Sequence, residues 1–146
     1  MRKRLILLMV ITLLVISAFN TATVFGASAS FSVSGGGTYN VGDTVRITYT
    51  YSADSLGIAT TTLKYNPTIL QYQSCSGGTA PTTAAGEIPI VAGDGNLLKT
   101  ISVTVTFKAL KTGSSTISFS HIDVLDYDGN PLSVPSKSTT VTVTNS

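Results

Sequence analysis

The feature that most constrains this chain is a two-residue alternation of apolar and hydroxyl-bearing side chains. Residues 44 to 51 read Thr-Val-Arg-Ile-Thr-Tyr-Thr-Tyr. Successive side chains of an extended backbone point to opposite faces, so Val45, Ile47, Tyr49 and Tyr51 share one face and Thr44, Arg46, Thr48 and Thr50 the other. The same period returns over residues 97 to 108, where Leu97, Ile101, Val103, Val105 and Phe107 oppose Thr100, Ser102, Thr104 and Thr106. Shorter segments repeat it at 30–34, 59–65, 69–74, 87–91, 116–120 and 139–144. Thr and Val are stiff at χ1 and suit a pleated, half-buried surface. Between the segments stand Gly35-Gly36-Gly37, Gly42-Asp43, Asn66-Pro67, Gly77-Gly78, Gly93-Asp94-Gly95-Asn96, Thr112-Gly113 and Asp128-Gly129-Asn130-Pro131, all turn formers. About eight short strands with one apolar face and no helical pattern between them predict an all-β antiparallel sandwich. The stretch from Ser74 to Gly86 reads as a surface loop.

The N-terminus has a different character. Arg2, Lys3 and Arg4 precede an apolar run from Leu5 to Ile16 broken only by Thr12, and Ala27-Ser28-Ala29 follows. A basic start, an apolar stretch of about a dozen residues and small residues beyond it are the parts of a secretory signal peptide. A membrane span needs roughly 20 apolar residues, and Ser17, Asn20, Thr21 and Thr23 interrupt before that length is reached. The expectation is a signal peptide over 1–29, one domain over 30–146 and an extracellular location, with a cut between Gly26 and Ala27 as the alternative.

Cleavage removes three of the nine basic residues. Arg46, Lys64, Lys99, Lys108, Lys111 and Lys137 then face seven acidic residues, leaving a net charge of −1. No basic patch remains to neutralise a row of phosphates, which excludes nucleic acid as the expected partner. The remaining stretch of about 117 residues is the size of one ordinary domain. Cys75 is the only cysteine, so stability must come from packing, and its expected role is that of a small hydrophobe.

Catalytic constellations are sparse, since one His and one Glu are available. His121 and Asp123 share strand parity, but no Gly-x-Ser-x-Gly elbow accompanies them, and His121 also shares parity with Ile117 and Phe119. A partly buried, hydrogen-bonded histidine is expected. Glu87 shares its segment with Pro89, which marks an edge strand and not a cleft wall. Asp126-Tyr127-Asp128-Gly129-Asn130 opens like a calcium loop, yet Pro131 and Lys137 stand where an EF-hand needs its glycine and its bidentate glutamate. A hairpin turn is the better reading, with no catalytic residue, metal or cofactor expected. Stacking of sugars wants exposed rings; Trp is absent, and only Tyr39, Tyr72 and Tyr127 lie near turns.

Three stretches resemble a cohesin domain, the receptor module of extracellular scaffoldins. They are Val41-Gly42-Asp43-Thr44-Val45; Leu63-Lys64-Tyr65-Asn66-Pro67-Thr68-Ile69-Leu70-Gln71-Tyr72; and Phe107-Lys108-Ala109-Leu110-Lys111-Thr112-Gly113-Ser114-Ser115-Thr116-Ile117, followed by the Asp-Gly-Asn-Pro turn. The resemblance implies a jelly-roll sandwich of eight or nine strands. It also implies binding to a dockerin-bearing secreted protein that carries its own calcium, so that polysaccharide-degrading enzymes are collected on a scaffold. Strands near 57–65, 87–91 and 116–120 would form the binding sheet. The Asn-x-Asp pair of cellulosomal cohesins aligns with Ile58 and Thr60, and the family's fifth strand is compressed into the Gly77 to Gly86 loop.

Parity selects the exposed side of that sheet. Leu63 and Tyr65 point inward, so Thr60, Thr62 and Lys64 point outward; Ile117 and Phe119 send Ser118 and Ser120 outward as well. With Glu87 these are the expected partner-binding residues. Two other roles fit the composition: a surface adhesion or structural module, and a carbohydrate-binding module contacting polysaccharide.

Overall fold

The structure is a computed structural model that describes residues 27–93 and 96–145. The basic start and the apolar run from Leu5 to Ile16 lie outside the described residues. Nine strands occur among them: β1 (Ser30–Ser34), β2 (Gly37–Asn40), β3 (Thr44–Leu56), β4 (Ile58–Lys64), β5 (Leu70–Ser76), β6 (Glu87–Ala92), β7 (Leu98–Ala109), β8 (Gly113–Leu125) and β9 (Ser138–Thr144). They form two sheets, ordered β1-β3-β7-β5 and β2-β9-β8-β4-β6, packed as a jelly-roll β-sandwich. Pairing is antiparallel except between β2 and β9, which run parallel.

The alternation places the core between the sheets. Val45, Ile47, Tyr49 and Tyr51 of β3 and Val103, Val105 and Phe107 of β7 are buried on one side. Leu63, Ile88, Ile90, Ile117, Phe119, Val141 and Val143 come from the other. Fully burying one such side chain stabilises the fold by roughly 1.5–3 kcal/mol. Phe31, on β1, joins the layers: its ring lies 4.8 Å from that of Tyr51 and, edge-on, 5.2 Å from that of Phe119 in the opposite sheet.

Three departures from the alternation have local causes. Leu97 does not continue the buried face of β7; it is exposed, because the strand begins at Leu98, after a register shift between Ser52 and Leu56 of the partner β3. β2 has no apolar alternation and is held by β9. To reach it from β1 the chain changes sheets through Gly35 and Gly36. Gly35 has a φ of 104°, and a Cβ there would collide with the Arg46 carbonyl oxygen, while one on Gly36 would collide with the Thr139 hydroxyl. β8 is far longer than residues 116–120 and carries a bulge opposite Thr60 and Thr61.

Pairing extends ahead of β1. Ser28 bridges Ser133 in parallel, the Ala29 N–H donates to the Ser133 carbonyl at 2.9 Å, and Ala29 is buried. Ala27–Ala29 therefore packs as part of the sandwich.

Candidate functional site

The outer face of the five-stranded sheet is built on β4. Its inward residues Ala59, Thr61 and Leu63 are buried, which leaves Ile58, Thr60, Thr62 and Lys64 on the outside. Register then fixes their neighbours. Thr62 sits between Pro89 of β6 and Ser120 of β8, Lys64 between Glu87 and Ser118, and Thr60 between Val91 and Asp123. The six expected residues, Thr60, Thr62, Lys64, Glu87, Ser118 and Ser120, thus come together on three adjacent strands.

The face is graded along its length. At one end Lys64 Nζ lies 3.7 Å from Glu87 Oε1, an exposed pair contributing at most ~1 kcal/mol. Small hydroxyls fill the middle. At the other end Ile58, Val91 and Leu125 are half-buried and Ile122 is 57% exposed. Sequence reasoning missed this apolar end. Pro89 and Val91 share parity with Glu87, so they were readable; Ile122 was not, because the β8 bulge places both Ile122 and Asp123 in solvent between His121 and the inward Val124.

The bulge also separates His121 from Asp123. The histidine points inward, half-buried, with Nδ1 2.7 Å from the Tyr51 hydroxyl and Nε2 3.2 Å from the Pro135 carbonyl. A carbonyl can only accept, so Nε2 carries the proton, Nδ1 accepts from Tyr51, and Tyr51 accepts from the Thr61 hydroxyl at 2.5 Å. Burial holds the imidazole below its ordinary range, against the Pro135 hydrogen bond, and pushes Tyr51 up to about 12. The chain of hydrogen bonds satisfies polar groups between the layers.

The Asp126 carboxylate is occupied by its own turn. Its Oδ1 accepts from the backbone N–H groups of Asp128 at 2.9 Å and Asn130 at 2.8 Å, and its Oδ2 from the Asn130 amide at 3.3 Å. These bonds, those of Asn130 foremost, hold it below the usual carboxylate range. The Tyr39 hydroxyl donates to the Gly35 carbonyl, so that ring is held at the sheet crossover. Cys75 is half-buried against the core, and burial raises its thiol, as fits a small hydrophobe.

No family model matches the sequence, and no curated protein matches it. Among solved structures the chain is similar to the CaCohA2 module of Clostridium acetobutylicum, crystallised with CaDoc0917 (TM-score 0.69, 17% identity, 80% of this chain and 100% of that one). It is similar to a non-cellulosomal cohesin from the archaeon Archaeoglobus fulgidus (0.67, 19%, 81% and 92%). A cohesin module from a Clostridium perfringens family 33 glycoside hydrolase gives 0.70, with 14% identity over 83% and 100%. The fold is that of cohesin modules.

Proposed function

We propose that this chain is a secreted, non-catalytic interaction module that receives a dockerin-type partner on the outer face of its five-stranded sheet. The calcium belongs to the partner, and the assembly gathers polysaccharide-degrading enzymes outside the cell. One observation carries the reading: on a cohesin-type fold, β6, β4 and β8 are contiguous and bring Thr60, Thr62, Lys64, Glu87, Ser118 and Ser120 onto a single exposed face. Small hydroxyls let a helical partner approach closely and lose little side-chain entropy on ordering. The apolar end supplies the desolvated contacts that dominate interface energies, and the Lys64–Glu87 end supplies orientation.

The test is capture from secreted proteins by the mature domain, with and without calcium, and identification of what is held. A protein with paired calcium loops, bound only with calcium, is expected. Thr62→Arg should abolish capture while changing stability by about 0.5 kcal/mol or less. Ser32→Arg, on the exposed side of the other sheet, should leave capture intact. Equal binding by both folded variants would move the contact elsewhere and favour an adhesive or structural module.

A further inference from the structure

A concave site lies beyond the end of β4, and none of its residues belongs to the proposed partner face. The chain leaves Lys64, passes Tyr65, turns at Asn66-Pro67 and enters β5, where Tyr72 faces back toward Tyr65. With Gln71, Leu110 and the loop around Thr83 these residues line a cavity of about 290 Å³. Its floor is aromatic. The rings of Tyr65 and Tyr72 both pack on buried Phe107, with centroids at 4.9 Å and 6.4 Å. Both tyrosines are half-buried, and neither phenol hydroxyl is hydrogen-bonded to another described residue. No charged side chain lines the cavity.

These properties define a ligand. It is neutral, because nothing charged faces it. It has an apolar face, to lie on a tyrosine ring or against Pro67 and Leu110, and a rim of donors and acceptors for two phenol hydroxyls, the Gln71 amide and the Thr83 hydroxyl. It is one ring in size, because the volume is at the lower edge of the roughly 300–1,000 Å³ of ligand cavities. A pyranose has that shape and chemistry: one face of C–H groups and an equatorial belt of hydroxyls. A proline-rich segment shares the apolar face but spreads over several residues of extended helix, more than an open pocket of about 290 Å³ receives. The larger cavity of about 440 Å³ beside Gly77, Gly93 and Thr100 has no aromatic lining to receive a ring.

We infer that the Tyr65–Tyr72 cavity is a subsite for one neutral pyranose ring of a polysaccharide. The inference goes beyond partner binding and does not depend on it. Since the rings are already fixed by Phe107, little ordering accompanies binding.

Backbone amide NMR of the domain, titrated separately with an N-acetylglucosamine trimer, cellotriose and a proline-rich decapeptide, tests it without any partner protein. Saturable shifts confined to the segments around Tyr65, Tyr72, Thr83 and Leu110 are expected for at least one trimer, with a Kd on the order of 1 mM. Which trimer binds distinguishes a chitin-like from a cellulose-like source. Tyr72→Ala should weaken binding by roughly ten-fold or more, and Tyr127→Ala should not. Thr83→Arg, on an exposed loop, should fill the cavity without touching the core, so the proposal stays testable if Tyr72→Ala unfolds. No saturable shift with either trimer, shifts mapping elsewhere, binding that survives Thr83→Arg, or saturation by the peptide alone would overturn it.

Discussion

The hydroxyl of Tyr51, in the four-stranded sheet, lies 2.7 Å from Nδ1 of His121 in the five-stranded sheet, a hydrogen bond that ties the two layers. Its other neighbour is the Thr61 hydroxyl, on a fully buried residue. Tyr51→Phe keeps the ring but leaves Thr61 and Nδ1 without their partner. A loss of about 1–3 kcal/mol is expected, read from urea unfolding. Replacing Thr61 by Val in the same chain should recover part of it, since an apolar pair leaves fewer orphaned groups; additive losses would show that the two hydroxyls are not coupled.

The same histidine gives a pH dependence with a definite sign. Burial depresses its folded-state pKa below the unfolded 6.5. The unfolded chain therefore takes up a proton first as pH falls. The stability His121 contributes is complete above about pH 6.5 and is lost as pH falls through the folded value. Asp126, also depressed, loses its contribution in a separate window below its ordinary 3.8. Thermal melting from about pH 8 to pH 5 should show a declining Tm that flattens in His121→Phe. An unchanged slope in that variant would assign the dependence to other groups.

Alternation made β3, β7 and most of the core readable, because over 44–51 and 100–109 those strands bury one face and expose the other. It failed where a strand owes its existence to a distant partner. Gly37–Asn40 has one large side chain and becomes β2 only by pairing with the C-terminal β9. It failed again at the β8 bulge, where one extra residue shifts every later side chain to the other face. The polar part of the candidate face lies before that bulge and was legible; Ile122 lies within it and was not.

The N-terminal pairing bears on processing. A chain starting at Ser30 lacks buried Ala29 and the Ser28 bridge to Ser133. One beginning at Ala27 keeps both. The intact mass of the secreted form distinguishes the expected first residue, Ser30, from the alternative, Ala27. A truncated domain beginning at Ser30 should be less stable by about 1–3 kcal/mol, because the Ser133 carbonyl loses its donor and a small apolar contact disappears. Equal stability of the two forms would make Ala27–Ala29 dispensable.

The Lys64–Glu87 pair is a tempting but weak anchor for the fold. Both side chains are more than half exposed, at 53% and 58%. Lys64→Ala should change unfolding free energy by less than about 1 kcal/mol. If the pair orients a partner, the same variant should slow association and reduce its salt dependence while dissociation stays nearly unchanged, because rim charges act mainly on encounter.

The apolar end of the face should dominate affinity if a protein partner binds there. Ile122 is 57% exposed on β8, half-buried Leu125 pairs with Ile58 of β4, and Val91 of β6 continues the apolar end. Exposed as it is, Ile122 contributes little to the core, so Ile122→Asp should fold normally. In a complex the same change would bury an unpaired carboxylate beside Asp123, adding desolvation to like-charge repulsion. Loss of at least roughly 2 kcal/mol of binding, appearing as faster dissociation, is expected by biosensor kinetics. Thr142→Asp, on β9 away from the patch, serves as the matched charge control. Should Ile122→Asp bind as the parent does while Thr62→Arg does not, the contact is confined to the hydroxyl-bearing middle of the sheet, and the apolar end faces solvent in the complex.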